Sequence, residues 1–227
     1  FTESASREEL AALAHDNGLP VFEDLGSGSL FELETFGIHG EPTLQSSIRA
    51  GVDVVTCSGD KLLGGPQTGI LAGRREYVER LKRHPLTRAL RVDKMTLAAL
   101  EVTLRSYESG NAASELPVLA MLAETPETLR ARAQTLCARL VESGIDSALC
   151  AEEDSVGGGS VPAQALAGYA AAVSPRCCGV DELAARLRRR ERPVAARIAH
   201  DRVLLCVRTL RGDELDELVR AGRESDV

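Results

Sequence analysis

The chain has 227 residues, of which 44% are hydrophobic, and a formal net charge of −7. The hydrophobic content predicts a globular protein with one large or two modest domains, and the negative charge argues against nucleic-acid binding over the whole surface. No run of eighteen uncharged apolar residues is present, so the sequence predicts no membrane-spanning helix, and we expect a cytoplasmic protein. The first residue is Phe1 and not methionine, so we expect that an upstream part is missing.

The six cysteines show no spacing that is typical of a metal site. The sequence contains no Cys-x-x-Cys pair, and no histidines stand near the cysteines at zinc-ligand spacing. We therefore expect free thiols in a reducing compartment and no bound metal.

The first predicted elements are a helix and a strand. A capping box that begins at Ser6 precedes leucines and alanines at helical spacing over residues 7–15. Residues 19–25 are short and apolar and lead into the glycine-serine turn 26–29, which indicates a strand followed by a loop. Asp24 is therefore expected at the C-terminal end of a strand.

A second strand is predicted at residues 52–57, a β-branched run that leads through Ser-Gly-Asp to Lys61. The glycine-rich turn 64–69 connects it to a third apolar segment at 70–72 and a charged helix at 74–83. Strands and helices alternate, which predicts an α/β layer structure.

A long helix is predicted at residues 94–109, followed by a second domain. Its apolar stripe is expected to be buried and consists of Met95, Leu97, Leu100, Val102 and Leu104. Pro117 and Pro126 indicate a boundary, so the sequence predicts two domains, 1–114 and 115–227. The second domain is expected to contain a helix at 127–143, a strand at 148–151, a glycine turn at 157–159, an apolar stretch at 161–173, a helix at 180–190, a strand at 203–207 and a helix at 212–221.

Three residues near the ends of the first two strands fit the chemistry of pyridoxal 5′-phosphate (PLP). Lys61 can form an imine with the PLP aldehyde, and the hydroxyl of Ser58, three residues earlier, can reach the phosphate. Asp24 can keep the pyridine nitrogen protonated, and open α/β sheets bind ligands at the carboxyl ends of their strands. Each residue also has an ordinary explanation, Lys61 as a solvated surface charge, and Asp24 and Ser58 as turn residues.

Arg88 and Arg91, three residues apart before the long helix, can bind a phosphate-like anion through paired guanidinium groups. The alternative is a solvated loop whose arginines pair with neighbouring acids. The glycine-rich segments 64–69 and 157–159 lack the Lys-Ser/Thr of a P-loop and the spacing of a dinucleotide fingerprint, so we interpret both as tight turns.

Two segments around these residues are long enough to carry a family pattern. They are Ser-Gly-Asp-Lys-Leu-Leu-Gly-Gly-Pro-Gln at 58–67 and Arg-Ala-Leu-Arg-Val-Asp-Lys-Met-Thr-Leu-Ala-Ala-Leu at 88–100. Both closely resemble the bacterial selenocysteine synthases, the L-seryl-tRNA(Sec) selenium transferases. Further segments with that pattern are 21–30, 156–162, 192–198 and 204–210, so the resemblance covers nearly the whole chain.

The resemblance implies a fold-type-I PLP-dependent transferase, an α/β architecture like that of aspartate aminotransferase, assembled as a homo-oligomer built from dimers. The first domain would be the second half of the PLP-binding large domain, and the second domain would be the C-terminal small α/β domain. Lys61 would carry pyridoxal 5′-phosphate, Asp24 would contact the pyridine nitrogen, and Ser58 would bind the phosphate. Asp60 would be a catalytic group beside the attachment point.

The reaction implied by the resemblance is a β-replacement on L-seryl-tRNA(Sec). Lys61, displaced from PLP by the serine amine, would remove the α-proton, and water would then leave. The resulting aminoacrylate would accept selenium from selenophosphate and give L-selenocysteinyl-tRNA(Sec). Arg88 and Arg91 would neutralise the oxygens of selenophosphate.

The sequence also departs from the family pattern. The N-terminal tRNA-binding portion, where contacts with seryl-tRNA(Sec) are mainly expected, and the first half of the large domain are absent, so we expect a catalytically incomplete fragment. Cys206 stands in the closing strand where an acidic residue is expected, which leaves the role of Arg208 open. Two alternatives remain, a related PLP-dependent lyase of small amino sugar acids and a non-catalytic assembly module.

Overall fold

The computed structural model describes residues 5–157, 160–161, 164–211 and 213–225. The chain divides into two compact units, Phe1–Ala123 with Val156–Gln164, and Glu124–Ser155 with Ala165–Val227. The predicted boundary between residues 114 and 115 falls inside a short helix of the first unit, Ala112–Glu115. The assignment of the two parts as PLP-binding domain and small domain stays a prediction.

The first unit combines a small sheet with several helices. The predicted capping box is present, because Ser6 Oγ accepts the backbone N–H of Glu9 at 3.1 Å and Glu9 Oε2 accepts that of Ser6 at 2.9 Å. The unit contains α1 (Arg7–Asp16), β1 (Phe22–Gly26), a 3-10 turn (Leu33–Phe36), α2 (Leu44–Arg49), β2 (Val54–Ser58), β3 (Gly69–Gly73), α3 (Arg75–Arg83), α4 (Pro85–Leu90), α5 (Lys94–Glu108), α6 (Ala112–Glu115) and α7 (Pro117–Ala123).

The sheet of the first unit has the order β1-β2-β3. β1 and β2 are parallel, and β3 returns antiparallel to β2. Thr56 of β2 lies opposite Asp24 of β1 on one side and Leu71 of β3 on the other. Asp24 therefore lies inside β1, and β2 ends at Ser58, so that Lys61 belongs to the loop after the strand.

A buried carboxylate ties the start of this sheet together. Asp53, the residue before β2, is 1% exposed and accepts hydrogen bonds from the Val21 backbone N–H at 2.7 Å and from His15 Nε2 at 2.8 Å. Arg74 Nε, just after β3, lies 2.8 Å from Asp53 Oδ1. Burial by itself raises the pKa of Asp53, but the hydrogen bonds and the Arg74 charge outweigh it and lower the pKa below its usual value. The ionised carboxylate thus joins α1, the residue before β1 and the residue after β3.

The predicted buried stripe of α5 is wrong. The members that are exposed are Met95, Leu97, Val102 and Leu104. The side that packs carries Thr103 and Ser106, and the Thr103 hydroxyl is satisfied by the Ala99 carbonyl one turn earlier at 3.0 Å. Periodicity predicted the helix correctly but not its orientation, because small residues form the packed face and the apolar face lines an open cavity.

The second unit packs three helices against one face of an antiparallel sheet with the order β4-β5-β7-β6. Its elements are α8 (Pro126–Glu142), β4 (Ser147–Ser155), β5 (Ala165–Val173), α9 (Val180–Arg189), β6 (Arg197–Ala199), β7 (Arg202–Cys206) and α10 (Glu214–Ser225). Strand alternation separates the two faces, because Ala171 and Val203 join the helical core whereas Ala170 and Leu204 face the other way. Gly212 and two glycines of the predicted turn, Gly158 and Gly159, lie outside the described residues.

None of the helices in the described part of the chain has the length and apolar character needed to cross a membrane.

Candidate active site

Polar side chains share one face of the first sheet near the carboxyl ends of its parallel strands. Thr56 Oγ1 donates to Asp24 Oδ1 at 3.1 Å. Ser58 lies two residues after Thr56 in β2, so its side chain points to the same face. The structure therefore brings Asp24, Thr56 and Ser58 to one face. Thr56 was not predicted as a site residue, although strand alternation places it on the same face as Ser58, two residues later.

Lys61 lies in the lysine loop, which we define as residues Gly59–Thr68. Its side chain is partly exposed and that of Asp60 is exposed. The loop is closed by hydrogen bonds from Gly59 N–H to the Thr68 carbonyl and from Gly65 N–H to the Gly59 carbonyl, both at 2.8 Å. Among the residues that the structure describes, no hydrogen bond or ion pair occupies the Lys61 ammonium, so the amine is available for chemistry.

Close backbone approach joins the lysine loop to the loop after β1. The Leu62 N–H donates to the Ser27 carbonyl at 3.0 Å. Gly28 has a φ of +74°, and a Cβ at this position would lie 2.2 Å from the Ser58 carbonyl oxygen. Only glycine satisfies both requirements. The glycine-serine segment, interpreted from sequence as a turn, thus places the Asp24 strand directly against the end of β2.

The two candidate arginines lie around α4. Arg88 belongs to this helix and Arg91 follows it, and both side chains are exposed. Arg91 lines a cavity of about 1130 Å³ that also reaches Thr56. The lining does not include Arg88, Ser58, Asp60 or Lys61. Most of the lining is apolar and comes from β3, α3, α4 and α5, including Ile70, Leu71, Leu81, Leu86, Leu90, Leu97 and Leu100.

Arg208 of the second unit has an acidic partner that was not predicted from the sequence. It is 9% exposed, its Nε donates to Asp154 Oδ2 at 2.7 Å, and one guanidinium nitrogen donates to the Ala167 carbonyl at 2.6 Å. Gly168 makes room for the pair, since a Cβ there would lie 2.3 Å from Asp154 Oδ2. The acid expected at position 206 is therefore supplied by Asp154 of β4. Burial, together with the Asp154 charge, raises the pKa of the Cys206 thiol.

All six cysteines are free thiols, and Cys57 and Cys137 are buried. Within the described ranges, no group of three or more histidine, cysteine or acidic side chains is arranged to hold a metal ion.

The sequence profile of the L-seryl-tRNA selenium transferase family matches residues 1–211. The chain belongs to this family. The L-seryl-tRNA(Sec) selenium transferase of Moorella thermoacetica is 50% identical over 226 residues, in an alignment that covers 97% of this chain and 48% of that protein. The Geobacter sulfurreducens protein of the same name is 47% identical over an alignment 228 residues long, which covers 99% of this chain and 49% of the relative. This member of the selenium transferase family thus spans about half the length of the curated relatives it matches.

A solved structure supports the expected architecture. The structure of D-glucosaminate-6-phosphate ammonia-lyase superposes on this chain with a TM-score of 0.63 at 21% sequence identity. The alignment covers 100% of this chain and 54% of the lyase chain. At this identity the likeness concerns the fold alone. The chain therefore has the predicted α/β fold, which it shares with this lyase.

Proposed function

We propose that this chain contributes the PLP-binding lysine and the small domain to an enzyme that converts L-seryl-tRNA(Sec) to L-selenocysteinyl-tRNA(Sec) with selenophosphate. The observation that carries the proposal is the identity of about one half to relatives that bear this name. Because those relatives are about twice as long, the activity is proposed for the whole protein.

Asp24, Ser58 and Lys61 are the residues that would hold PLP. Asp24 and Ser58 share a face of the sheet, and the Thr56 hydroxyl bonds one oxygen of Asp24. The hydrogen bond orients the carboxylate for a pyridinium nitrogen, the Ser58 hydroxyl can donate to a phosphate oxygen, and the Lys61 amine is available for a covalent bond. When bound, PLP would supply an electron sink for charge that develops at the substrate α-carbon.

The remaining site residues would manage protons and anions. The Lys61 amine, once free, would accept the α-proton of the seryl group, and the exposed carboxylate of Asp60 beside it would assist proton transfer. Arg88 and Arg91 would bind selenophosphate, since guanidinium groups match the oxygens of a phosphate-like anion. The exposed position of both arginines at α4 leaves them open to a ligand from solvent.

The proposed whole protein is a cytoplasmic homo-oligomer built from dimers, in which seryl-tRNA(Sec) is bound mainly by residues upstream of this chain. The polar face of the first unit would then be part of the large domain of the family.

The test is attachment of PLP by the full-length gene product. After addition of PLP, borohydride reduction and peptide mass spectrometry should place the pyridoxyl group on Lys61, and Lys61→Ala should abolish both the label and the visible absorbance. Lys94→Ala, at the exposed start of α5, is the matched control and should retain both.

Label on another lysine, or none at all, would contradict the proposed PLP site. Turnover of small amino sugar acids without selenium transfer to seryl-tRNA(Sec) would favour the lyase alternative, and absence of both activities would favour an assembly module.

A further inference from the structure

The lysine loop is attached to α5 by one tyrosine. Tyr107 donates its hydroxyl proton to the Leu63 carbonyl at 2.8 Å and also lies 3.4 Å from the Leu62 carbonyl oxygen. Leu62 and Leu63 follow Lys61 directly, and each is 1% exposed. The contact therefore fixes the backbone immediately after the reactive lysine.

Other hydrogen bonds of the loop come from backbone groups. The Gly64 N–H donates to the Lys61 carbonyl at 3.0 Å, which folds the loop on itself, and the Leu62 N–H donates to Ser27 outside it. Within the described part of the chain, Tyr107 is the only side chain from outside the loop that hydrogen-bonds to it. Gly65 brings the loop close to the same helix, because a Cβ there would lie 3.3 Å from Thr103 Cγ2.

We infer that Tyr107 is a positioning residue for Lys61: by holding the Leu63 carbonyl, its hydroxyl keeps the lysine amine in place relative to the face that carries Asp24 and Ser58. The inference rests on the proposed attachment of PLP to Lys61.

The Tyr107 hydroxyl can donate its hydrogen bond over the whole physiological pH range. Burial raises the pKa of Tyr107 to about 12, so the hydroxyl keeps its proton. Tyr107 sits near the C-terminal end of α5, and Asp93 caps the N-terminus of the same helix two residues after Arg91. A helix of 15 residues is a rigid rod of about 22 Å. α5 therefore connects the lysine loop to the segment that carries Arg88 and Arg91.

The first measurement needs no cofactor. In the full-length gene product without PLP, Tyr107→Phe removes one hydrogen bond, which on average stabilises by about 1 kcal/mol, so the amides of Leu62, Gly64 and Gly65 should exchange with deuterium about fivefold faster. Tyr169→Phe, which removes a tyrosine hydroxyl from the second unit, is the matched control and should leave these amides unchanged. Unchanged exchange in Tyr107→Phe overturns the inference.

The second measurement separates positioning from general stability. With PLP added, the pH midpoint of the absorbance of the Lys61-linked cofactor should move by about 0.5–1 unit in Tyr107→Phe and stay in place in Tyr169→Phe. Faster exchange with an unchanged midpoint overturns the inference and leaves Tyr107 a purely structural residue. If wild-type protein carries no pyridoxyl label on Lys61, the proposed function fails first, and the exchange data then report only on the loop.

Discussion

Three side chains that organise this molecule make contacts between residues far apart in the sequence. His15 meets Asp53 across 38 positions, Tyr107 meets Leu63 across 44, and Arg208 meets Asp154 across 54. Each pair places a buried polar group next to a partner, because an unpaired polar group in a protein interior is costly.

Asp53 gives a pH-dependent prediction. Because its pKa is lowered in the folded state, its contribution to stability is present above the unfolded value near pH 4 and is lost as the pH falls through the folded value. Asp53→Asn should lower the free energy of unfolding by about 2 kcal/mol at pH 7, since it loses hydrogen bonds to a charged acceptor. The difference from wild type should shrink as the pH is lowered from 5 to about 2.

Urea denaturation at a series of pH values measures this difference. Asp16→Asn, a change of the same kind at the exposed end of α1, is the control and should stay within about 0.5 kcal/mol of wild type. A gap between wild type and Asp53→Asn that widens toward acid pH would show that Asp53 does not act through its charge.

The site residues that form a continuous sequence pattern could be predicted from the sequence. The other residues of the candidate site could not. Asp24 and Ser58 lie in β1 and β2 and Lys61 follows β2, so the sequence predicts their grouping from the rule that ligands bind at the carboxyl ends of parallel strands. Thr56 and Tyr107 required the strand register and the orientation of α5, which depend on packing. The roles of Asp24, Ser58 and Lys61 stay predictions.

Among the secondary-structure elements, those with strong local signals were predicted best. The capping box at Ser6 and the Thr125-Pro126 start of α8 are both present. The three-residue strand β6 was missed because it is too short to show alternation. The apolar stripe of α5 was assigned to the wrong side because sequence periodicity does not say which neighbour a face meets.

The turn between β6 and β7 offers a way to stabilise the chain. Its two residues, His200 and Asp201, have φ values of +53° and +55°, the left-handed region that a two-residue hairpin turn requires. Glycine adopts this conformation without a Cβ penalty, so Asp201→Gly should raise the free energy of unfolding by about 0.5 kcal/mol.

Thermal unfolding of the Asp201→Gly protein measures this effect. Asp201→Ala is the matched control and should lower stability, since alanine keeps the Cβ and lacks the local hydrogen bonding of aspartate. Equal effects of glycine and alanine would refute the explanation.

At the scale of the whole chain, the largest described core is a cluster of buried apolar side chains in the second unit. The core of the second unit includes Leu136, which is fully buried, whereas Leu90 of the first unit is 77% exposed. Leu136→Ala should lower the free energy of unfolding by about 2–5 kcal/mol through a cavity, and Leu90→Ala should change it by less than about 0.5 kcal/mol.

Native-state hydrogen exchange shows where the loss falls. The slowest amides of α8 and β5 should lose protection in Leu136→Ala, because these elements surround the cavity. Protection lost equally in β2 of the first unit would show that the chain unfolds as one cooperative unit instead.

The sequence predicted the architecture of the whole chain because a family pattern extends along nearly all of it. It could not predict the open cavity bordered by β3, α4 and α5, because apolar residues in a helix look the same whether they face a core or solvent. The sequence predicted a boundary between residues 114 and 115, whereas the structure divides the chain between Ala123 and Glu124.

The three-stranded sheet has a practical consequence for handling the polypeptide. In the described residues, β1 and β3 are each paired on one side only, and Phe22 and Leu71 add apolar side chains to these borders. Strands with free N–H and C=O groups recruit strands of other molecules, which promotes polymerisation in concentrated solution. Dilute storage should therefore keep preparations clear.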